Sequence, residues 1–163
     1  MQLGIVKSKN FVFHLPLLSP FRIFVLNKNL NKMMETRITS PRITELKPGE
    51  IFVFGSNLEG AHGGGAALLA WRKWGAVWGQ GAGLQGQTYG IPTMHGGPDR
   101  IKPYVDEFIS FARQHPELTF LVTEVGCGIA GFRPAEIAPL FRDAVDVENI
   151  HLPQRFWEVL NTK

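Results

Sequence analysis

Three stretches of the chain hold the residues that could do chemistry. "FGSNLEGAHGGG" (Phe54 to Gly65) sets Glu59 and His62 among five glycines. "TEVGCGIAGF" (Thr123 to Phe132) sets Glu124 and Cys127 beside Gly126, Gly128 and Gly131. "YGIPTMHGGP" (Tyr89 to Pro98) carries His95. Glycine runs just before a helix let free backbone N–H groups approach an anion, usually a phosphate. A histidine inside such a run could move a proton near neutral pH, and a carboxylate at a strand end could serve as a base. His62, His95 and Glu124 are therefore the candidate catalytic residues. Each also has a bland reading. His62 could bond the loop backbone, His95 sits in a glycine–proline turn, and a buried Glu124 would need a partner. Cys127 has no neighbouring cation in the sequence to lower its pKa, so it reads as a small buried residue. No H-x-x-x-H or C-x-x-C occurs, and neither a metal nor a cofactor is expected.

These residues need elements to position them. "IFVF" (Ile51 to Phe54) is short, apolar and aromatic, as a strand buried on both faces would be. "AALLAWRKWG" puts Ala66, Leu69, Ala70 and Lys73 on one helical face, with Gly75 as the stop. "DRIKPYVDEFISFARQHP" carries one apolar stripe (Ile101, Val105, Phe108, Ile109, Ala112), with Asp99 as its expected cap. "RITSPRITEL" reads as an edge strand because it contains Pro41, "LTFLVTEVG" as a second central strand, and "ENIHLP" as a final one. After the helix that Gly75 stops, "AVWGQGAGLQGQTYGIPT" reads as a hairpin or irregular loop flanked by strand-like Ala76–Trp78 and Thr88–Ile91. "RPAEIAPLFRDAV" and "PQRFWEVLNTK" read as helices. The predicted order, β-β-α-β-β-α-β-α-β-α, is that of a layered α/β domain around a largely parallel or mixed sheet. Ligands of such sheets bind beyond the carboxyl ends of the strands, where the two glycine loops lie.

Composition sets the outer bounds. The 163 residues are 44% hydrophobic and 19% charged, which suits one globular domain. The net charge of +3 is unevenly placed. Residues 1–33 hold five of the 17 basic residues and no acid, which leaves 12 basic residues against 14 acids in 34–163, a net −2. The domain thus has no electrostatic footprint for direct nucleic-acid binding. Residues 1–33 are expected to be a poorly structured extension. Their basic start and apolar run suggest a targeting segment, but Pro16 and Pro20 interrupt it. No apolar run reaches membrane-spanning length, and a single cysteine suits a reducing, cytoplasmic setting.

Seventeen of the 18 glycines fall between Gly49 and Gly131, and two of the loops they form follow central strands. That pairing favours an anion site over turns alone. The spacing fits neither G-x-x-x-x-G-K-[ST] nor G-x-G-x-x-G, which argues against a P-loop ATPase and a dinucleotide dehydrogenase.

From Ile51 to Val145 the sequence resembles the macrodomains, ADP-ribose-binding α/β/α modules. "FVFGSNLEGAHGGGAALLAWRKWG" is similar to their first motif and "LVTEVGCGIAGFRPAEIAPLF" to their second, with "YGIPT" between. The branch it is most similar to includes terminal ADP-ribose glycohydrolases, DNA-ADP-ribosyl hydrolases and ADP-ribose-phosphate phosphatases. The resemblance implies a three-layer α/β/α sandwich spanning residues 34–163. It also implies ADP-ribose, free or attached to a macromolecule, as the partner. Asn57 would lie beside the distal ribose. Gly63, Gly64 and Gly65 would approach the ribose and diphosphate from one side. Gly126, Cys127, Gly128, Ile129, Ala130 and Gly131 would wrap the diphosphate from the other, with Phe132 leaning on the ribose.

The chain departs from that branch where its catalysts stand. Ala130 occupies the position of an Asp and Met94 that of a Lys, while Ala66 and Ala67 follow the glycine run where another branch has an Asp. Trp78 and Tyr89 are candidates for stacking on a nucleobase, with Gln80, Gln85 and Gln87 as a polar rim. Trp71 and Trp74 read as packing residues. Three functions remain open: an ADP-ribose-binding module, a hydrolase or phosphatase with substitute catalytic residues, and an interaction domain without a ligand.

Overall fold

The computed structural model describes residues 19–162. The chain divides into two units, Met1–Met33 and Met34–Lys163. Residues 1–18 of the expected extension lie outside the described residues. From Pro20 the rest of that stretch belongs to a helix, α1 (Pro20–Thr36), which runs three residues past its expected end. The reason is local. Pro20 takes the first helical position, where its missing N–H costs nothing. The Ser19 side chain caps the start, accepting from the Arg22 amide at 3.3 Å.

The second unit is an α/β sandwich around one six-stranded sheet. Its elements are β1 (Ile38–Thr39), β2 (Glu50–Ser56), α2 (Gly65–Trp74), β3 (Gly83–Gln85), β4 (Thr88–Pro92), α3 (Pro98–Gln114), β5 (Thr119–Val122), α4 (Pro134–Ile137), β6 (Ile150–Pro153) and α5 (Gln154–Asn161). A 3-10 segment, Ala138–Ala144, continues α4. The strand order is β1-β6-β5-β2-β4-β3, and only the β3–β4 pair is antiparallel. The element order agrees with the alternation read from the sequence. Three details differ. The first strand shrinks to two residues ahead of Pro41. The hairpin pairs Gly83–Gln85 with β4 and leaves Ala76–Trp78 outside the sheet. Gly97, not Asp99, caps α3.

Burial explains the layers. β2 sends Ile51 and Val53 to one face and Phe52 and Phe54 to the other, and all four are buried. On the first face α3, the 3-10 segment and α5 close over the sheet through Phe108, Phe141 and Phe156. On the second, Ala67 and Ala70 of α2 lie on Phe52 and Phe54, and the Trp74 ring packs tilted against Phe52 with ring centroids 4.7 Å apart. No helix among the described residues is long and apolar enough to cross a membrane.

Arg37 locks β1 to the rest of the sheet. It is 6% exposed, and its guanidinium donates to the carbonyls of Val145 (2.6 Å) and Val147 (2.7 Å) while stacking over Trp157. Trp157 Nε1 returns a bond to the Arg37 carbonyl at 3.0 Å. Replacing Arg37 with Met leaves those carbonyls without their donors. It is expected to cost about 2–4 kcal/mol, read as a lower urea midpoint at unchanged slope.

Candidate functional site

Two cavities open at the carboxyl ends of the strands. The smaller, ≈ 220 Å³, lies between the loops that follow β2 and β5. Its walls include Asn57, Gly64, Gly65, Met94, Glu124, Gly126, Gly128, Ile129 and Ala130. The larger, ≈ 620 Å³, runs between β1, α2 and α5, with apolar walls from Ile43, Phe52, Leu69 and Val122 and a charged rim of Arg42, Arg155 and Glu158. Ala66, Thr123 and Glu124 line both, so the cavities adjoin.

The start of α2 faces the smaller cavity. Its N-cap, Gly64, has no side chain to satisfy the first helical amides, which makes them available to an anion. Across the cavity the 126–131 loop is held by two of its own bonds, Gly131 N–H to Gly128 O and Phe132 N–H to Gly126 O, both 2.9 Å. Ile129, 75% exposed, reaches over from this loop. Its Cδ1 stands 3.2 Å from where a Cβ on Gly64 would lie.

The site residues expected from sequence fall into two groups. Asn57, Gly64, Gly65, Gly126, Gly128, Ile129 and Ala130 line the smaller cavity; Gly63, Cys127, Gly131 and Phe132 line neither cavity. Phe132 and Cys127 pack against the core instead. Asn57 is present at the wall, but its amide is engaged with Ala61. Oδ1 accepts from the Ala61 N–H (2.8 Å) and Nδ2 donates to the Ala61 carbonyl (2.9 Å), closing the loop on itself.

Of the three catalytic candidates only Glu124 faces the cavities. It is half-buried and paired with Arg155 Nη1 at 3.0 Å. His62 is fully buried, edge-on to Phe54, and its Nε2 donates to the Val77 carbonyl at 3.0 Å. The Nδ1 atom has no partner among the described residues. His62 is thus an anchor beneath the loop. His95 turns away from the cavities toward Leu58 and Glu59. Its Nε2 lies 3.1 Å from the Leu58 amide and 3.0 Å from the Glu59 carboxylate. One nitrogen cannot accept from the first and donate to the second at once. The first ties the 93–97 turn to the Leu58 backbone and the second to the Glu59 side chain.

Cys127 is a poor nucleophile. Burial, and then the nearby Glu124 carboxylate, push its thiol pKa up to about 11. The expected stacking residues also serve otherwise. Tyr89 is buried between Phe108 and Phe111, and its hydroxyl pKa is raised to about 12, chiefly by that burial. Trp78 is half-exposed against Trp71 and lines neither cavity. The glutamines are loop staples. Buried Gln85 accepts from the Val77 amide at 2.6 Å and donates to the Gln80 carbonyl at 3.1 Å. Among the described residues no group of three or more His, Cys, Asp or Glu is placed to hold a metal ion.

Close contact also explains glycines that meet no cavity. Gly60 packs on the Gln80 backbone and Gly81 on the Asn57 carbonyl, each closer than any Cβ would permit. Ser56 Oγ donates to the Gly81 carbonyl in the same place. The 79–82 segment is therefore a floor under the 57–61 loop.

Sequence reasoning missed residues 38–43 and the α5 side chains as walls of the larger cavity. The strand-end rule, applied to β6 as it was to β2 and β5, points to Gln154 and Arg155. Comparison of the chain with protein-family models, curated proteins and solved structures returned no match.

Two outcomes follow from this geometry. Iodoacetamide should alkylate Cys127 slowly at pH 8, and the rate should climb about tenfold per pH unit toward pH 11, since only the thiolate reacts. His62→Ala should lower stability by about 2–4 kcal/mol through the lost packing and the stranded Val77 carbonyl, measured by denaturant unfolding.

Proposed function

We propose that the domain binds ADP-ribose or a related ADP-ribosyl nucleotide across the two adjoining cavities. The observation that carries this reading is their arrangement. A large, mostly apolar cavity and a small one lined largely by glycines and small residues share a wall at the ends of β2 and β5, and an uncapped helix start faces the small one. A nucleoside suits the apolar volume of ≈ 620 Å³, within the range of small-molecule sites. A diphosphate suits the shared wall and the α2 amides. A terminal ribose suits the smaller cavity beside Asn57. The macrodomain-like motifs supply these same loops.

The lining favours binding over turnover. Ala130 and Met94, where the similar hydrolases carry Asp and Lys, both line the smaller cavity and bring no ionisable group. Glu124 is the one titratable side chain among the residues lining it, and it is paired with Arg155. With His62 and His95 turned away, no second group is placed to complete an acid–base pair.

Titration calorimetry with ADP-ribose should show saturable binding, and an ADP-ribosylated substrate should release no free ADP-ribose. Gly64→Glu should abolish the heat by filling the smaller cavity with a carboxylate. The Gly64 backbone (φ −156°, ψ 165°) admits a side chain, so the variant should fold. Gly63→Ala, at a position lining neither cavity and with nothing within 4 Å of its Cβ, should bind as wild type. Absence of heat at millimolar ligand would overturn the reading.

A further inference from the structure

Arg155 and Glu124 meet where the two cavities join. The Nη1–Oε2 distance is 3.0 Å. Glu124 lines both cavities and Arg155 the larger one. The pair is solvent-accessible, with the Arg155 side chain 60% and the Glu124 side chain 37% exposed, so it contributes little to stability. Any ligand that spans both cavities passes this pair. A phosphate there would meet a carboxylate at close range, which is unfavourable, and a guanidinium whose fork geometry matches phosphate oxygens better than a lysine would.

We infer that Arg155 is an anion-selecting residue that exchanges partners on binding, leaving Glu124 for the ligand's phosphates. The inference rests on the nucleotide-binding reading above and adds its selectivity. The ion pair keeps the junction neutral until a phosphate arrives. Glu124 then acts as a competitor for Arg155, so the two residues oppose each other in their effect on affinity. A neutral nucleoside does not draw Arg155 away and gains nothing from it. The site thereby discriminates between nucleosides and their phosphorylated forms through one surface-accessible side chain on α5, in addition to the backbone amides of α2.

The test is calorimetry on wild type, Arg155→Gln and Glu124→Gln with ADP-ribose, ADP and adenosine, with melting temperatures as a folding check. Arg155→Gln should weaken ADP-ribose and ADP about tenfold and leave adenosine unchanged, and its ADP-ribose affinity should depend less on salt. Glu124→Gln should strengthen ADP-ribose about threefold, because it removes both the competitor and the repulsion. A purely structural pair would give losses in both variants and for all three ligands, and that result overturns the inference. So does wild-type ADP-ribose binding that Arg155→Gln leaves unaltered, a result that spares the parent reading. A wild type that binds no ADP-ribose refutes both.

Discussion

At Gly55 the segments that follow β4 and β5 close in from either side on a position that has no side chain. A Cβ there would lie 3.1 Å from Thr93 Oγ1 and 3.2 Å from the Gly126 amide nitrogen. β2 pairs in parallel with both β4 and β5, so three strand ends emerge together. The missing side chain lets the loops that follow them meet around one small cavity. The α2 start, the 93–97 turn and the 126–131 loop all take their positions from that approach. The fold's buried face carries the load behind it, with β2 packed on both sides by apolar residues.

The charge arrangement around the cleft is sparse. Cys127 is kept as a neutral thiol by burial, His62 is placed beneath the loop, and His95 turns its Nε2 to the Leu58 amide or the Glu59 carboxylate. What faces the smaller cavity is mostly backbone and small side chains. Backbone amides favour anions without a formal charge, so they impose no large desolvation penalty when empty. The one formal charge among the residues lining this cavity is that of Glu124, which is paired with Arg155.

Much of this was legible in the sequence, and the limits have physical causes. Hydrophobic period gave the element order, because "IFVF" must be buried on both faces and the α3 stripe on one. The two loops announced themselves by glycine placed after central strands. Side-chain direction was not legible. His62 points inward because Phe54 and the Val77 carbonyl lie below the loop, and nothing local to "GAHGGG" encodes either. Tyr89 looked available beside a loop, but α3 covers it with Phe108 and Phe111 from a distant part of the chain. The walls from residues 38–43 and α5 come together through the two-residue pairing of β1 with β6 and through Arg37 on Trp157, and neither has a motif. The helix α1 was hidden by its proline, which marks a helix start only once Ser19 is seen to cap it.

The floor made by residues 79–82 gives the cleft an unusual vulnerability. Gly60 and Gly81 set the height of the 57–61 loop by direct backbone contact, with no side chain of their own between the layers. Soft packing absorbs a mismatch by changing rotamer, but two backbones in contact can only separate. An added methyl group here would therefore act as a shim. It would lift the loop and tilt the α2 start from a place that never touches a ligand. Tolerance to substitution along this chain should track the stacking of its backbone as closely as distance from the cleft, and glycines that line no cavity would be among the least replaceable.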